Sequence, residues 1–218
     1  MSTFTPRFEV LSASQRELWP ALSLIRDRFI LYGGTALALR LGHRSSVDFD
    51  FFSFHPFELE ALRHSVSWIG KAETLEAQPN TLTVLHRGPR GHVRVSFFGG
   101  LTFGTIAAPD FTTDDVLRVA SLPDLLATKL NTIYQRAEAK DYLDVHALLR
   151  AGFSLAEGLG FAKRIYGEHF NTLLPLQALC YFEEPSLHNL PSEIKSDLLN
   201  AVQSVRSPAG SGERHISF

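Results

Sequence analysis

Apolar positions recur at two different spacings along this chain, and the change from one to the other divides it. Arg28 to Tyr32 is a short apolar run that stops at Gly33-Gly34. A helix-like stretch follows, from Thr35 to Leu41, and Gly42 ends it. Ser46 to Ser53 then alternates, with Val47, Phe49 and Phe51 on one side and Ser46, Asp48, Asp50 and Phe52 on the other. Period two is a strand, so one face is apolar and the other carries both carboxylates. Phe57, Leu59, Leu62 and Val66 have helical spacing through Trp68, and Gly70 stops that segment. Two further strands, Thr81 to His86 and His92 to Phe98, flank the turn-rich Arg87-Gly88-Pro89-Arg90-Gly91, the pattern of a hairpin.

Beyond a short Val116 to Ala120 strand, nearly everything reads as helix. Ser121 is a good N-cap with Pro123 in the first turn, and Gly152 is a good terminator. The run between them is too long for an ordinary globular helix, so a break is expected near Ala137 to Lys140. Further helices are expected over Leu155 to Tyr166, Thr172 to Phe182 and Pro191 to Val205. The pattern predicts an α/β core over residues 1–120, a helical domain over 121–206, and a flexible, Ser/Gly/Pro-rich tail at 207–218.

Composition narrows the function only slightly. A chain of 218 residues buries a real core, and a formal net charge of -2 argues against a uniformly basic nucleic-acid surface. Arg87, Arg90 and Arg94 on the hairpin, with Arg63, remain candidates for a local contact with a nucleic-acid backbone. The one cysteine, Cys180, lies in an apolar segment and reads as a small core residue. No apolar run is long enough for a membrane span, and Met1 to Phe8 lacks the pattern of a secretory signal, so a cytoplasmic protein is expected. Nine histidines, among them His43, His55, His86, His92 and His146, show no paired zinc-site spacing.

Three groups of residues carry chemistry. Asp48 and Asp50, two apart on a strand, leave the same face and can share one divalent cation or two closely spaced ones. Phenylalanines surround them, which makes unpaired burial of two carboxylates costly and a hard cation welcome. The plainer reading is a pair of solvent-facing aspartates on an edge strand. Gly33-Gly34-Thr35 lies between a strand and a helix, where backbone N–H groups and the helix N-terminus favour a phosphate, although such a turn is often only a turn. On a continuous helix, Leu126, Leu130, Ile133, Ala137 and Leu148 form one stripe, with Asp141 and Asp144 inside it and Lys129, Arg136 and Lys140 along its margin. These cations are placed to meet phosphate oxygens or to pair with the aspartates.

Read in order, Leu31-Tyr32-Gly33-Gly34-Thr35-Ala36-Leu37-Ala38-Leu39-Arg40-Leu41-Gly42-His43-Arg44-Ser45-Ser46-Val47-Asp48-Phe49-Asp50-Phe51-Phe52 resembles the first motif of the AbiEii-type nucleotidyltransferase toxins. Lys129, Arg136, Lys140-Asp141 and Asp144 resemble that family's later motif, and Tyr181-Phe182-Glu183-Glu184 a short stretch found farther along. The resemblance implies an α+β, polymerase-beta-like core: a small mixed sheet flanked by helices, then a helical region. It implies transfer of a nucleotidyl group from an NTP to an acceptor hydroxyl, on a protein or on the 3′ end of tRNA or another RNA, by the toxin of a toxin–antitoxin pair. On that basis Asp48 and Asp50 would hold Mg²⁺ or Mn²⁺, and Gly33, Gly34, Thr35, Arg44, Ser46, Lys129 and Arg136 would bind the nucleotide. Asp48, Asp50, Lys129 and Asp141 would carry catalysis, with Lys140 and Asp144 as further members and a cognate antitoxin as partner.

One departure bears on mechanism. Fuller members of the superfamily carry a third carboxylate on a neighbouring strand, where His92-Val93-Arg94-Val95-Ser96-Phe97-Phe98 has Ser96. Either Asp141 supplies the missing charge, or the chain is a degenerate module that binds a nucleotide and acts through a partner. A purely structural domain is the third alternative.

Overall fold

The computed structural model describes residues 2–206. The first half supplies β1 (Thr3–Phe4), α1 (Ala13–Leu18), β2 (Ile30–Tyr32), α2 (Gly33–Leu41), β3 (Asp48–Phe52), α3 (Leu59–Ser65), α4 (Ser67–Lys71), β4 (Glu73–Gln78), β5 (Thr81–Gly88) and β6 (Gly91–Phe98). The second half supplies β7 (Asp110–Thr112), β8 (Arg118–Val119), α5 (Leu122–Thr132), α6 (Ala139–Arg150), α7 (Leu155–Tyr166), α8 (Leu173–Ala178) and α9 (Ser192–Arg206).

The strands form one mixed sheet of eight in the order β1-β7-β8-β2-β3-β6-β5-β4. It is larger than the small sheet expected, because β1 and β7 are too short to show a period and β4, Glu-Thr-Leu-Glu-Ala-Gln, is exposed along its whole length. The β5–β6 hairpin forms as read, closing on Gly88 and Gly91. β3 lies antiparallel to β2 and parallel to β6. One face buries Phe49, Phe51, Leu82, Val84, Val93, Val95 and Phe97. Trp19, Phe29 and Trp68 cover it with ring contacts to Phe49 and Phe97. Val47, placed by the alternation on this face, precedes the strand and is 63% exposed. The other face carries Tyr32, Asp48, Asp50, Phe52, Arg94, Ser96 and Phe98.

Helix α2 is apolar apart from Thr35 and Arg40 and buried through Thr35–Leu39, with Gly42 at a φ of 66° closing it through a Gly42 N–H to Ala38 carbonyl bond of 2.8 Å. It packs against α5 and α6. The expected break in the long helix occurs: α5 ends at Thr132 and α6 begins at Ala139. Ser121 caps α5 by accepting from the Asp124 N–H. α7 runs over Leu155–Tyr166 as read, with Ser154 and Glu157 forming a capping box. Two helices are shorter than their patterns. Val66 is extended and separates α3 from α4, and α8 stops at Ala178, so Cys180 is exposed rather than core. The expected tail at 207–218 lies outside the described residues.

Candidate active site

The strand–glycine–helix turn places a carboxylate against the helix start. Gly33 has a φ of +72°, and a Cβ there would lie 2.7 Å from Asp50 Oδ2. Only glycine meets both conditions. Tyr32 gives α2 no side-chain cap, so its first N–H groups are left open next to Asp50. Thr35 is buried, and its hydroxyl donates to the Asp48 carbonyl, fastening α2 to β3. Any phosphate contact from Thr35 is therefore through its backbone.

Asp48 and Asp50 share the open face, as the alternation required. Asp50 is half-buried, and burial together with the charge of Asp48 raises its pKa above the ordinary carboxylate value. Asp48 accepts a 2.7 Å hydrogen bond from Arg94 Nη2. The register explains the pairing, because Asp48 sits beside Arg94 and Asp50 beside Ser96. Ser96 thus stands where the third carboxylate was sought, and its hydroxyl accepts from Thr83 Oγ1 at 3.4 Å. Among the described residues no group of three or more His, Cys, Asp or Glu side chains gathers as for a metal. Of the arginines offered as a local backbone contact, Arg87 bonds Glu73, Arg63 bonds Glu60 and Thr74, Arg90 bonds Glu17 through its backbone N–H, and Arg94 belongs to the carboxylate pair.

Behind the glycine loop lies a buried charge cluster. Asp144, fully buried, accepts from His43 Nε2 at 2.7 Å and from Arg44 Nε and Nη2 at 2.7 and 2.8 Å. Lys129 Nζ lies 2.6 Å from Asp144 and 2.8 Å from Asp141. Burial alone would raise the Asp144 pKa, but the bonds from His43 and Arg44 and the charge of Lys129 hold it well below the carboxylate range. Asp141, also fully buried, accepts from Arg136 Nε at 2.9 Å and Nη2 at 3.3 Å. Inward-pointing Asp141 and Asp144 were legible from the helical stripe. Lys140 is not part of the cluster, because its ammonium bonds Glu138 at the surface.

Arg44 lies under the loop, where a Cβ on Gly34 would fall 2.5 Å from Arg44 Nη2 and 3.1 Å from Ser46 Oγ. All three Arg44 nitrogens are committed, two to Asp144 and Nη1 to the Ser45 carbonyl. The sequence marked Arg44 as a nucleotide contact; three of its five N–H groups are used in these bonds, and its Nη2 lies against the loop. A cavity of about 250 Å³ opens between sheet and helices, lined by Gly33, Gly34, Asp50, Lys129, Arg136 and the rings of Tyr32, Phe52 and Phe98. It therefore joins the three groups that the sequence separated.

The family model described as the nucleotidyl transferase AbiEii toxin of type IV toxin–antitoxin systems matches residues 18–207. The chain belongs to the AbiEii family. This AbiEii-family nucleotidyltransferase is 32% identical over 179 residues to an uncharacterised protein of Aquifex aeolicus (strain VF5), with 80% of this chain and 84% of that one covered. Its fold resembles two Helicobacter pylori crystal structures. One is a candidate nucleotidyltransferase, with a TM-score of 0.58 at 16% identity over 88% of this chain and 93% of that one. The other is JHP933, with a TM-score of 0.59 at 15% identity over 89% and 90%. Among the described residues no helix is long and apolar enough to cross a membrane.

Proposed function

We propose that this AbiEii-family chain transfers a nucleotidyl group from an NTP to an acceptor hydroxyl with the help of one divalent cation. The observation that carries this reading is the meeting of Asp50, the open N-terminus of α2, Lys129 and Arg136 around one cavity. The donor set fits a cation: two carboxylates share a face, and one has its pKa raised by burial and by the other's charge. Asp48 and Asp50 would hold Mg²⁺ or Mn²⁺, which when bound would draw charge from the triphosphate. Gly33 and Gly34 would receive phosphate oxygens on backbone N–H groups. Lys129 donates to Asp141 and lies 2.6 Å from Asp144, and its three-proton ammonium would also donate to a phosphate oxygen. With Arg136 it would steady the pyrophosphate as the acceptor oxygen bonds the α-phosphorus and the α–β phosphoanhydride bond breaks.

Asp141 is a positioning residue in this scheme, since its oxygens already accept from Lys129 and Arg136. It does not replace the missing carboxylate. Asp144 likewise positions Lys129 and Arg44. The acceptor class proposed is an RNA 3′ end, tRNA included, or a protein hydroxyl, and the proposed partner is a cognate antitoxin. The second reading, a module that binds NTP without transferring it, is favoured by Ser96 standing beside Asp50.

The test is calorimetric titration of each NTP, with and without Mg²⁺, into the native chain and Asp48→Asn/Asp50→Asn. Metal-dependent binding lost in the double variant supports the site, and no binding to the native chain sinks it. Labelled NTP then separates the two readings: transfer to RNA or protein supports the enzyme, and binding without transfer supports the module.

A further inference from the structure

A second cavity, of about 590 Å³, opens in the helical half on the other side of Arg136. Its walls include Tyr142, Leu174, Gln177, Tyr181 and Glu184. Arg136 lines both cavities, so the two lie on either side of one cationic residue. At about 250 Å³ the catalytic cavity is smaller than the roughly 300–1,000 Å³ typical of sites for whole small ligands. A whole NTP would therefore extend beyond it.

The second cavity has the chemistry of a nucleoside site. Tyr181 is 52% exposed, leaving a large aromatic surface available for stacking. The Tyr142 hydroxyl donates to the Ala178 carbonyl, and burial pushes its pKa up to about 12, so it is a neutral aromatic wall near pH 7. Gln177 brings an amide that can both donate and accept at a base edge. Glu184 can accept from an exocyclic amine or a ribose hydroxyl. Charge sets the orientation. Glu184 repels phosphates in this cavity while Lys129 and Arg136 attract them in the other, which also disfavours an RNA strand with its own phosphates here. The Tyr181-Phe182-Glu183-Glu184 stretch, which the phosphate and metal chemistry leaves without a role, thereby acquires one.

We infer that this cavity receives the base and ribose of the incoming NTP, with Tyr181 stacking on the base, an inference that rests on the nucleotidyltransferase reading above. The experiment compares binding of NTPs and of inorganic tripolyphosphate, both with Mg²⁺, to the native chain, Tyr181→Ala and Tyr181→Phe. Stacking on one aromatic side chain corresponds to a loss of roughly tenfold or more on truncation. The expected result is that native protein binds its preferred NTP at least tenfold more tightly than tripolyphosphate. Tyr181→Ala should then lose about tenfold for NTP and nothing for tripolyphosphate, and Tyr181→Phe should restore NTP binding. Equal losses for both probes, no loss for NTP, or a change confined to the KM for an RNA acceptor would overturn the inference while leaving the phosphate site standing. Failure of the native chain to bind either probe would remove the nucleotidyltransferase reading and this inference together.

Discussion

At the scale of single residues, close approach decides what each position tolerates. Gly34 lies over an Arg44 side chain that three hydrogen bonds hold in place, so the far end of that side chain cannot swing aside freely. Gly34→Ala is expected to cost about 1–3 kcal/mol, read from urea unfolding, and to weaken NTP binding as the loop shifts. An unchanged midpoint would mean that Arg44 yields. Arg94 offers the opposite case. Its pair with Asp48 is half-exposed and worth under about 1 kcal/mol, yet its charge stands beside the carboxylates that would hold a cation. Arg94→Ala should therefore leave the melting temperature nearly unchanged and tighten Mn²⁺ binding severalfold by electron paramagnetic resonance titration; weaker Mn²⁺ binding would assign Arg94 a supporting role instead. Asp50 and Asp48 also repel each other in the metal-free protein, so Asp50→Asn should be neutral or stabilising without Mg²⁺ and abolish the stabilisation that Mg²⁺ with NTP confers on the native chain.

At the scale of elements, α5 links the site to the helical half. Its Lys129 faces the cluster while Leu126 and Leu130 receive α7. A Cβ on Gly158 would sit 2.8 Å from both Leu126 Cδ2 and Leu130 Cδ1, so α7 rests on α5 at glycine distance. Replacing glycine with alanine inside a helix normally gains up to about 1 kcal/mol, whereas overpacking a core costs about 1–3 kcal/mol. Gly158→Ala should consequently lower the denaturation midpoint, and a raised midpoint would show that the two leucines repack easily. The break between α5 and α6 belongs to the same logic. Arg136 lies within it and folds back on Asp141, so the interruption read from the sequence carries a residue of both cavities.

For the whole molecule, the buried cluster ties the α2–β3 connection to α5 and α6, and its stability contribution depends on pH. Asp144 has a folded pKa held far below its unfolded value of about 3.9, so its contribution is fully present above that value and is lost as pH falls toward the folded one. Asp144→Asn leaves His43, Arg44 and Lys129 without their shared anion. The variant should lose roughly 3–5 kcal/mol at pH 7, with the gap to the native chain narrowing below about pH 4. A gap independent of pH would show that packing, not charge, is lost. If the variant does not fold, the same pH slope can be read in Arg44→Lys, which retains a cation without the two-pronged bond.

The local features of this chain were legible because neighbouring residues enforce them. Phe49 and Phe51 alternating with Asp48 and Asp50 fixed a two-faced strand. Gly33-Gly34 before an apolar run fixed a turn into a helix, and the apolar stripe through Leu126, Leu130 and Leu148 turned Asp141 and Asp144 inward. Motif order also led to the AbiEii family, which the family model over residues 18–207 then established. Tertiary structure alone decided which residues meet. Arg94 faces Asp48 because β3 and β6 lie parallel in one register, and a shift of one residue would send it to the other face. Arg44 and His43 are held by a carboxylate about 100 positions away along the chain, and Arg136 stands between two cavities. Periodicity reports which side of its own element a residue occupies. The partner across the gap depends on strand register and helix packing, which are set by burial summed over the whole core.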